Sequence, residues 1–144
     1  MDQLEIYLLL FTDSLVSNFA INNSTEIAIF SMKIFSGLYN PYIVLATATC
    51  AVVVAFSANY LLGIACYKIL APMNAEESNK DNSKRIEAIR RSKLLPIILL
   101  LSGIPFFGKF IILFAGFCRV SFIKAIMIGS FAKFIYYAVT YLIL

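Results

Sequence analysis

Two kinds of apolar segment alternate along this chain. Pro41 to Tyr67 is an uncharged run of 27 residues, longer than the ~20 that a helix needs to cross a bilayer. Val120 to Leu144 is a second run, of 25 residues, whose only charges are Lys124 and Lys133. A broken segment precedes each of them. Leu4 to Phe11 is apolar, a polar stretch from Asp13 to Glu26 follows, and apolar residues resume from Ile27 to about Gly37. Leu94 to Ile104 and Phe110 to Cys118 are likewise two short apolar arms, parted by "PFFG" at 105–108. Arms of about 10–14 apolar residues suit re-entrant pieces better than spans. For residues 4–38, two surface helices are the alternative.

This pattern predicts an all-α integral membrane protein of two inverted halves, each a re-entrant helical hairpin followed by a full transmembrane helix. It is one domain over 1–144, with a first half (1–71), a linker (72–93) and a second half (94–144). A hairpin returns to its own side and a single span crosses, so the second half starts on the opposite face and both termini lie outside. Paired, interrupted apolar segments point to a transporter site. Irregular backbone at membrane depth is tolerated only where protein or a wet cavity covers it.

The linker, "PMNAEESNKDNSKRIEAIRRSK", reads as a loop followed by a short surface helix over "SKRIEAIRRSK", with Ser83 as N-cap and Ile86 and Ile89 on one side. Its cations (Lys80, Lys84, Arg85, Arg90, Arg91, Lys93) make it the cytoplasmic loop by the positive-inside rule. A nucleotide site there is the weaker reading beside a solvated, topology-setting loop. Pro41 suits the first turn of the long helix, and Lys68 closes its run.

Composition agrees with burial in lipid. Of 144 residues 61% are hydrophobic and 14% charged, and mean hydropathy is +0.87; soluble domains have about 25% charged residues. Ten of the twenty charges lie between Glu76 and Lys93. The opening "MDQLEIYLLLF" has Asp2 and Glu5 and no basic region before its apolar run, which reads against a secretory signal. There is no histidine, which excludes histidine-dependent hydrolases, and no nucleophile–base pair stands out, so no enzyme and no cofactor is expected. Cys50, Cys66 and Cys118 are far apart and lack metal-ligand spacing, and read as small buried hydrophobes. A net charge of +4 with 21 Tyr and Phe spread through apolar sequence excludes a nucleic-acid reader. Membrane lipids are the expected partners, with a homo-oligomer left open.

Eight residues carry candidate chemistry, Gly116 of the second apolar arm among them. Glu26 follows the polar stretch and precedes an apolar arm; it is a proton carrier or cation partner at depth, or a carboxylate favouring a helix N-terminus. Arg119 ends the second hairpin, where its fork suits a lipid phosphate or Glu26, or anchors a helix end at the interface. Lys109 would neutralise Glu26 if the two hairpins face each other. Pro105 and Gly108 form the break, since proline lacks an N–H and glycine allows positive φ; the next half-helix would then offer N–H groups to an anion. Asn59 joins helices by hydrogen bonding or lines a cavity. Lys133, four residues before Tyr137, lines the cavity or snorkels. Asn22 and Asn23 match a glycosylation pattern, read as chance.

On these residues the sequence resembles the DedA superfamily (VTT or SNARE-associated domain), closest to its short YqaA-type bacterial branch. The resemblance covers nearly the whole chain. "LLLSGIPFFGKFIILFAGFCRVSF" resembles the signature P-x-x-G-(acid)…A-G-x-x-R through Pro105, Gly108, Ala115, Gly116 and Arg119, and "GSFAKFIYY" matches the last helix through Lys133, Phe134 and Tyr136. "NNSTEIAIFSMKIFSG" matches the first hairpin with Glu26 at its acid, and "TATCAVVVAFSANYLLG" the first full helix through Asn59 and Gly63. The resemblance implies a multi-pass protein of the bacterial inner (plasma) membrane. It also implies two hairpins meeting near mid-membrane and translocation of a phospholipid or polyprenyl phosphate, with proton coupling proposed for several members. This chain departs from the pattern at Asn22 and Asn23 (for Pro-Gly), at "AVVVAF" (51–56, for glycines) and at Lys109, which replaces the acid after the hairpin glycine. A two-carboxylate coupling scheme lacks one carboxylate here. A non-transporting structural or assembly protein that keeps the fold is the second reading.

Overall fold

The computed structural model describes residues 2–20, 27, 31, 33–34, 36–70, 76–104 and 107–143, with backbone alone for 36 and 76–83. All regular structure among them is helical: α1 (Gln3–Asn18), α2 (Pro41–Leu70), α3 (Glu76–Arg91), α4 (Leu95–Leu100), α5 (Phe107–Phe117) and α6 (Phe122–Ala138). Short 3-10 turns cover Ser36–Leu38 and Leu101–Gly103, and a π-helical turn over Val139–Ile143 extends α6.

α2 is the central element, packed against α1, α5 and α6. At ~1.5 Å per residue its 30 residues span roughly 45 Å. Its buried positions (Val44, Leu45, Ala48, Ala51, Val52, Ala55, Phe56, Asn59, Tyr60, Gly63) recur at helical spacing and are small where neighbours come closest. A Cβ on Gly63 would lie 2.1 Å from the Leu113 carbonyl oxygen, and one on Gly116 2.2 Å from that of Tyr60. The α2–α5 contact is therefore backbone against backbone, and only glycine permits it.

Two ends of the bundle can be told apart. At the first, Tyr7 of α1 packs edge-on against Tyr39 (ring centroids 6.3 Å apart), just before α2 starts. The Lys33 ammonium donates to the Thr140 carbonyl there (2.6 Å), a carbonyl within the π-helical turn. At the linker end, Tyr67 meets Phe117 (5.7 Å), and Ile89, Leu95, Cys118 and Val120 surround one apolar cavity. Both ends of the stretch 94–119 thus lie beside α3. Gly108 lies against Ser102, where a Cβ would come within 1.9 Å of the Ser102 carbonyl oxygen. α1 ends at the buried Asn18. α1 is a first arm of the bundle, and α4 with α5 a second.

α2 and the continuous helix Phe122–Ile143 are the two described helices long and apolar enough to cross a membrane. Both expose large apolar side chains, among them Leu61, Val54, Met127 and Phe131.

Two expectations need correction. α3 begins at Glu76, so position 83 lies inside the helix and not at its start. Arg90 and Arg91 in the last turn complement the helix dipole. α5 begins at Phe107, so Gly108 is not the break but a first-turn residue, selected by its contact with Ser102. Asn22, Asn23, Glu26 and Pro105 lie outside the described residues.

Candidate functional site

The interior at the end of α1 is polar. Asn59, at 0% exposure midway along α2, reaches the open end of α1. Its Oδ1 accepts the Ala20 N–H (2.8 Å) and its Nδ2 donates to the Asn18 carbonyl (2.8 Å). A helix that ends inside a bundle leaves its last carbonyls without partners, and one carboxamide supplies both a donor and an acceptor there. The Asn18 Nδ2 in turn donates to the Ser14 carbonyl (2.7 Å) and to the Tyr137 hydroxyl (3.1 Å). α1, α2 and α6 are thereby joined by one chain of hydrogen bonds.

Lys133 sits one turn before Tyr137, at 3% exposure, with its ammonium 4.9 Å from the Tyr136 ring centre and 5.4 Å from that of Tyr137. Residues 101–103 lie on the same helix: a Cβ on Gly103 would meet the Ala132 carbonyl at 2.8 Å, and one on Gly129 would meet the Ser102 Oγ at 3.0 Å. The second arm then supplies Lys109, also at 3% exposure, on the buried face of α5 with Ile112 and Gly116, its ammonium 5.7 Å from the Phe110 ring. An ammonium buried to this degree is costly unless aromatic faces, dipoles or anions offset its lost hydration. Among the described residues the hydroxyls of Ser14, Ser102 and Ser130 are buried and find no hydrogen-bond partner.

Of the eight residues singled out from sequence, Asn59 and Lys133 are brought into one network through Asn18 and Tyr137. Lys109 and Gly108 belong to the second arm beside Ser102. Gly116 is pressed against α2 and serves packing. Arg119 stands apart: it is exposed at the linker end with its guanidinium 5.7 Å from the Tyr67 ring. Asn18, Ser14, Ser102 and Tyr137 escaped the sequence reading, although Ser14, Ser17 and Asn18 recur at helical spacing with Leu10, the buried face of α1. Asp13 was also passed over. Its Oδ2 accepts the N–H of Ile27 (3.1 Å), which tethers the residue after Glu26 to α1. Among the described residues no group of three or more His, Cys, Asp or Glu could hold a metal ion.

No family model matches the chain, and no solved structure matches it. It is 36% identical over 140 residues to "Uncharacterized protein RP436" of Rickettsia prowazekii (strain Madrid E), an alignment covering 96% of each chain. Similarity of that extent runs through both arms, both long helices and the linker, and the chain belongs to the same family as that Rickettsia protein.

Proposed function

We propose that the chain is a DedA-like carrier of a bacterial inner membrane that moves a phosphate-headed lipid, a phospholipid or a polyprenyl phosphate, across the bilayer. In this reading α2 and Phe122–Ile143 are full spans, residues 3–38 and 94–119 are re-entrant hairpins of inverted topology, and the linker is cytoplasmic. The apolar belt on the outside of both long helices supports the membrane setting, since contiguous apolar surface of this kind marks a lipid or partner interface.

The observation that carries the reading is the pair of buried lysines on two different elements. Lys109 on α5 and Lys133 on α6 each bury an ammonium group to 3% exposure. Each has interactions of its own at rest, and a buried ammonium also stabilises a phosphate anion that comes beside it. A lipid phosphate is such an anion, and its acyl chains can remain in the bilayer while the headgroup passes the arms. With a lysine at the family's second acid, any proton coupling falls to Glu26, with Asp13 tethered one residue away.

The test is dithionite quenching of a fluorescent phosphatidylglycerol in vesicles holding the purified protein. Protein-containing vesicles should expose inner-leaflet probe faster than empty ones, and Lys109→Met and Lys133→Met should each slow this by about tenfold or more, the equivalent of losing ~1.4 kcal/mol of charge stabilisation. Wild-type vesicles no faster than empty ones at two pH values would sink the carrier. That outcome favours the second reading, a non-transporting structural protein, which the close packing around Gly129 already recommends: a Cβ there would meet Ile112, Ser102 and Phe56 within 3.2 Å.

A further inference from the structure

The linker end of the bundle collects exposed cations from four separate parts of the chain. Lys68 closes α2; Lys84, Arg85, Arg90 and Arg91 lie on α3 with Lys93 just beyond; Arg119 follows α5; Lys124 lies in the first turn of α6. Among the described side chains the one carboxylate at this end is Glu87, and Arg91 holds it at 3.6 Å. The opposite end exposes Asp2 and Glu5. Among the described side chains, exposed charge is therefore polarised along the bundle axis.

The fold orients this charge. α3 is fastened to the bundle by Ile86 and Ile89, half-buried against the core, and Ile89 shares its apolar cavity with Leu95, Phe114, Cys118 and Val120. Its last turn is thus held beside the end of α5 with the cations outward. Leu94, Ile97 and Phe122, next in sequence to this rim, expose apolar side chains, so charged and lipid-compatible surface adjoin.

Arg119 supplies the second, independent observation. The Val120 N–H bonds to the Ala115 carbonyl and the Arg119 N–H to the Gly116 carbonyl (both 3.0 Å), the two bonds of a Schellman cap, whose left-handed residue is ordinarily glycine. Arg119 has φ 56°, the one positive-φ residue other than glycine among the described residues. Glycine would sit there without strain. The arginine instead holds a guanidinium over Tyr67, at the surface, beside the last turn of α3.

We propose that Lys84, Arg85, Arg90 and Arg91 of α3, with Lys68, Lys93, Arg119 and Lys124, form a binding surface for the headgroups of anionic phospholipids, separate from the interior lysines. It rests on α2 and α6 spanning a bilayer, but not on transport. Guanidinium groups match phosphodiester oxygens in a bidentate fork, and each basic residue at an anionic membrane surface strengthens binding about fivefold.

The test reconstitutes the full chain in phosphatidylcholine vesicles doped with spin-labelled phosphatidylglycerol or spin-labelled phosphatidylcholine, and reads the fraction of label immobilised on the protein. Phosphatidylglycerol should be preferred severalfold at about 0.05 M sodium chloride, falling toward parity at about 0.5 M as screening lengths shrink. The combined variant Arg85→Gln, Arg90→Gln, Arg91→Gln should lose most of the preference and its lysine counterpart should keep most of it. No preference in the wild type, a preference indifferent to salt, or one kept in full by the arginine-to-glutamine variant would overturn the surface. A chain that fails to co-float with vesicles would overturn the spans themselves, a distinguishable failure.

Discussion

Asn59 shows how much one side chain can hold in an apolar helix. Its two hydrogen bonds close the end of α1 and, through Asn18, reach Tyr137 on α6. Asn59→Ala leaves the Ala20 N–H and the Asn18 carbonyl without partners inside the bundle, a loss of about 1–3 kcal/mol. Thermal unfolding in detergent should show a clearly lowered midpoint, and an unchanged midpoint would mean that the cap contributes nothing. Arg119 makes the opposite prediction. A left-handed L-residue costs about 1–2 kcal/mol relative to glycine, so Arg119→Gly should raise the midpoint while lowering the preference for phosphatidylglycerol. If both quantities fell together, the arginine would be structural. Lys109 was legible from sequence as a cation in an apolar run, and the structure adds its depth. Asn18 and Ser102 were not legible as site residues, because a short polar residue near a helix end reads equally well as a cap, a turn or an interior ligand.

At the scale of elements, the two long apolar helices were legible because no polar stretch or breaking residue interrupts them as happens at 13–26 and 105–108. The ends of α1 and α3 were not. α1 continues through Asp13, Ser14 and Ser17 to Asn18 because polar residues cost little in a helix whose polar face meets other polar groups. α3 starts seven residues before the expected cap. The role of the glycines was the further surprise. Gly108, Gly63 and Gly116 serve close approach rather than a turn. Gly116→Leu would force α2 and α5 apart, destabilising the protein by about 1–3 kcal/mol or more. Cross-linking between cysteines placed at Leu62 and Leu113 should fall in that variant, whereas Gly37→Ala, at an open position, should leave the midpoint within about 0.5 kcal/mol of wild type. Equal effects from the two substitutions would refute the close-approach account.

At the scale of the whole molecule, the arrangement of ends makes a topological prediction. With Cys50, Cys66 and Cys118 replaced by alanine, single cysteines at Tyr39 and Ser92 should react with a membrane-impermeant maleimide from opposite sides of sealed vesicles, because the first end and the linker end are separated by the length of α2. A cysteine at Leu101, near the tip of the second arm, should be protected or react from the Ser92 side only. Reaction of Tyr39→Cys and Ser92→Cys from one side would rule out the spanning arrangement. The prediction needs the fold and not the function, so it stands or falls independently of lipid movement.

What the sequence determined by itself was a matter of lengths and solvation. An uncharged run of 27 residues has few options besides a long apolar helix, half-length arms cannot make the same crossing, and a basic linker must stay in water. Those constraints act residue by residue along the chain, so they are visible in one dimension. What the tertiary structure decided was which polar groups meet. Asn18 finds Tyr137 across 119 residues and Asn59 across 41, and Ser102 comes to rest on Gly129. Such pairings depend on how helices cross, and the crossing depends on side-chain volume at a few glycines and alanines. Periodicity carries no record of it, because a helix that is apolar on every side has no preferred face until its neighbours supply one.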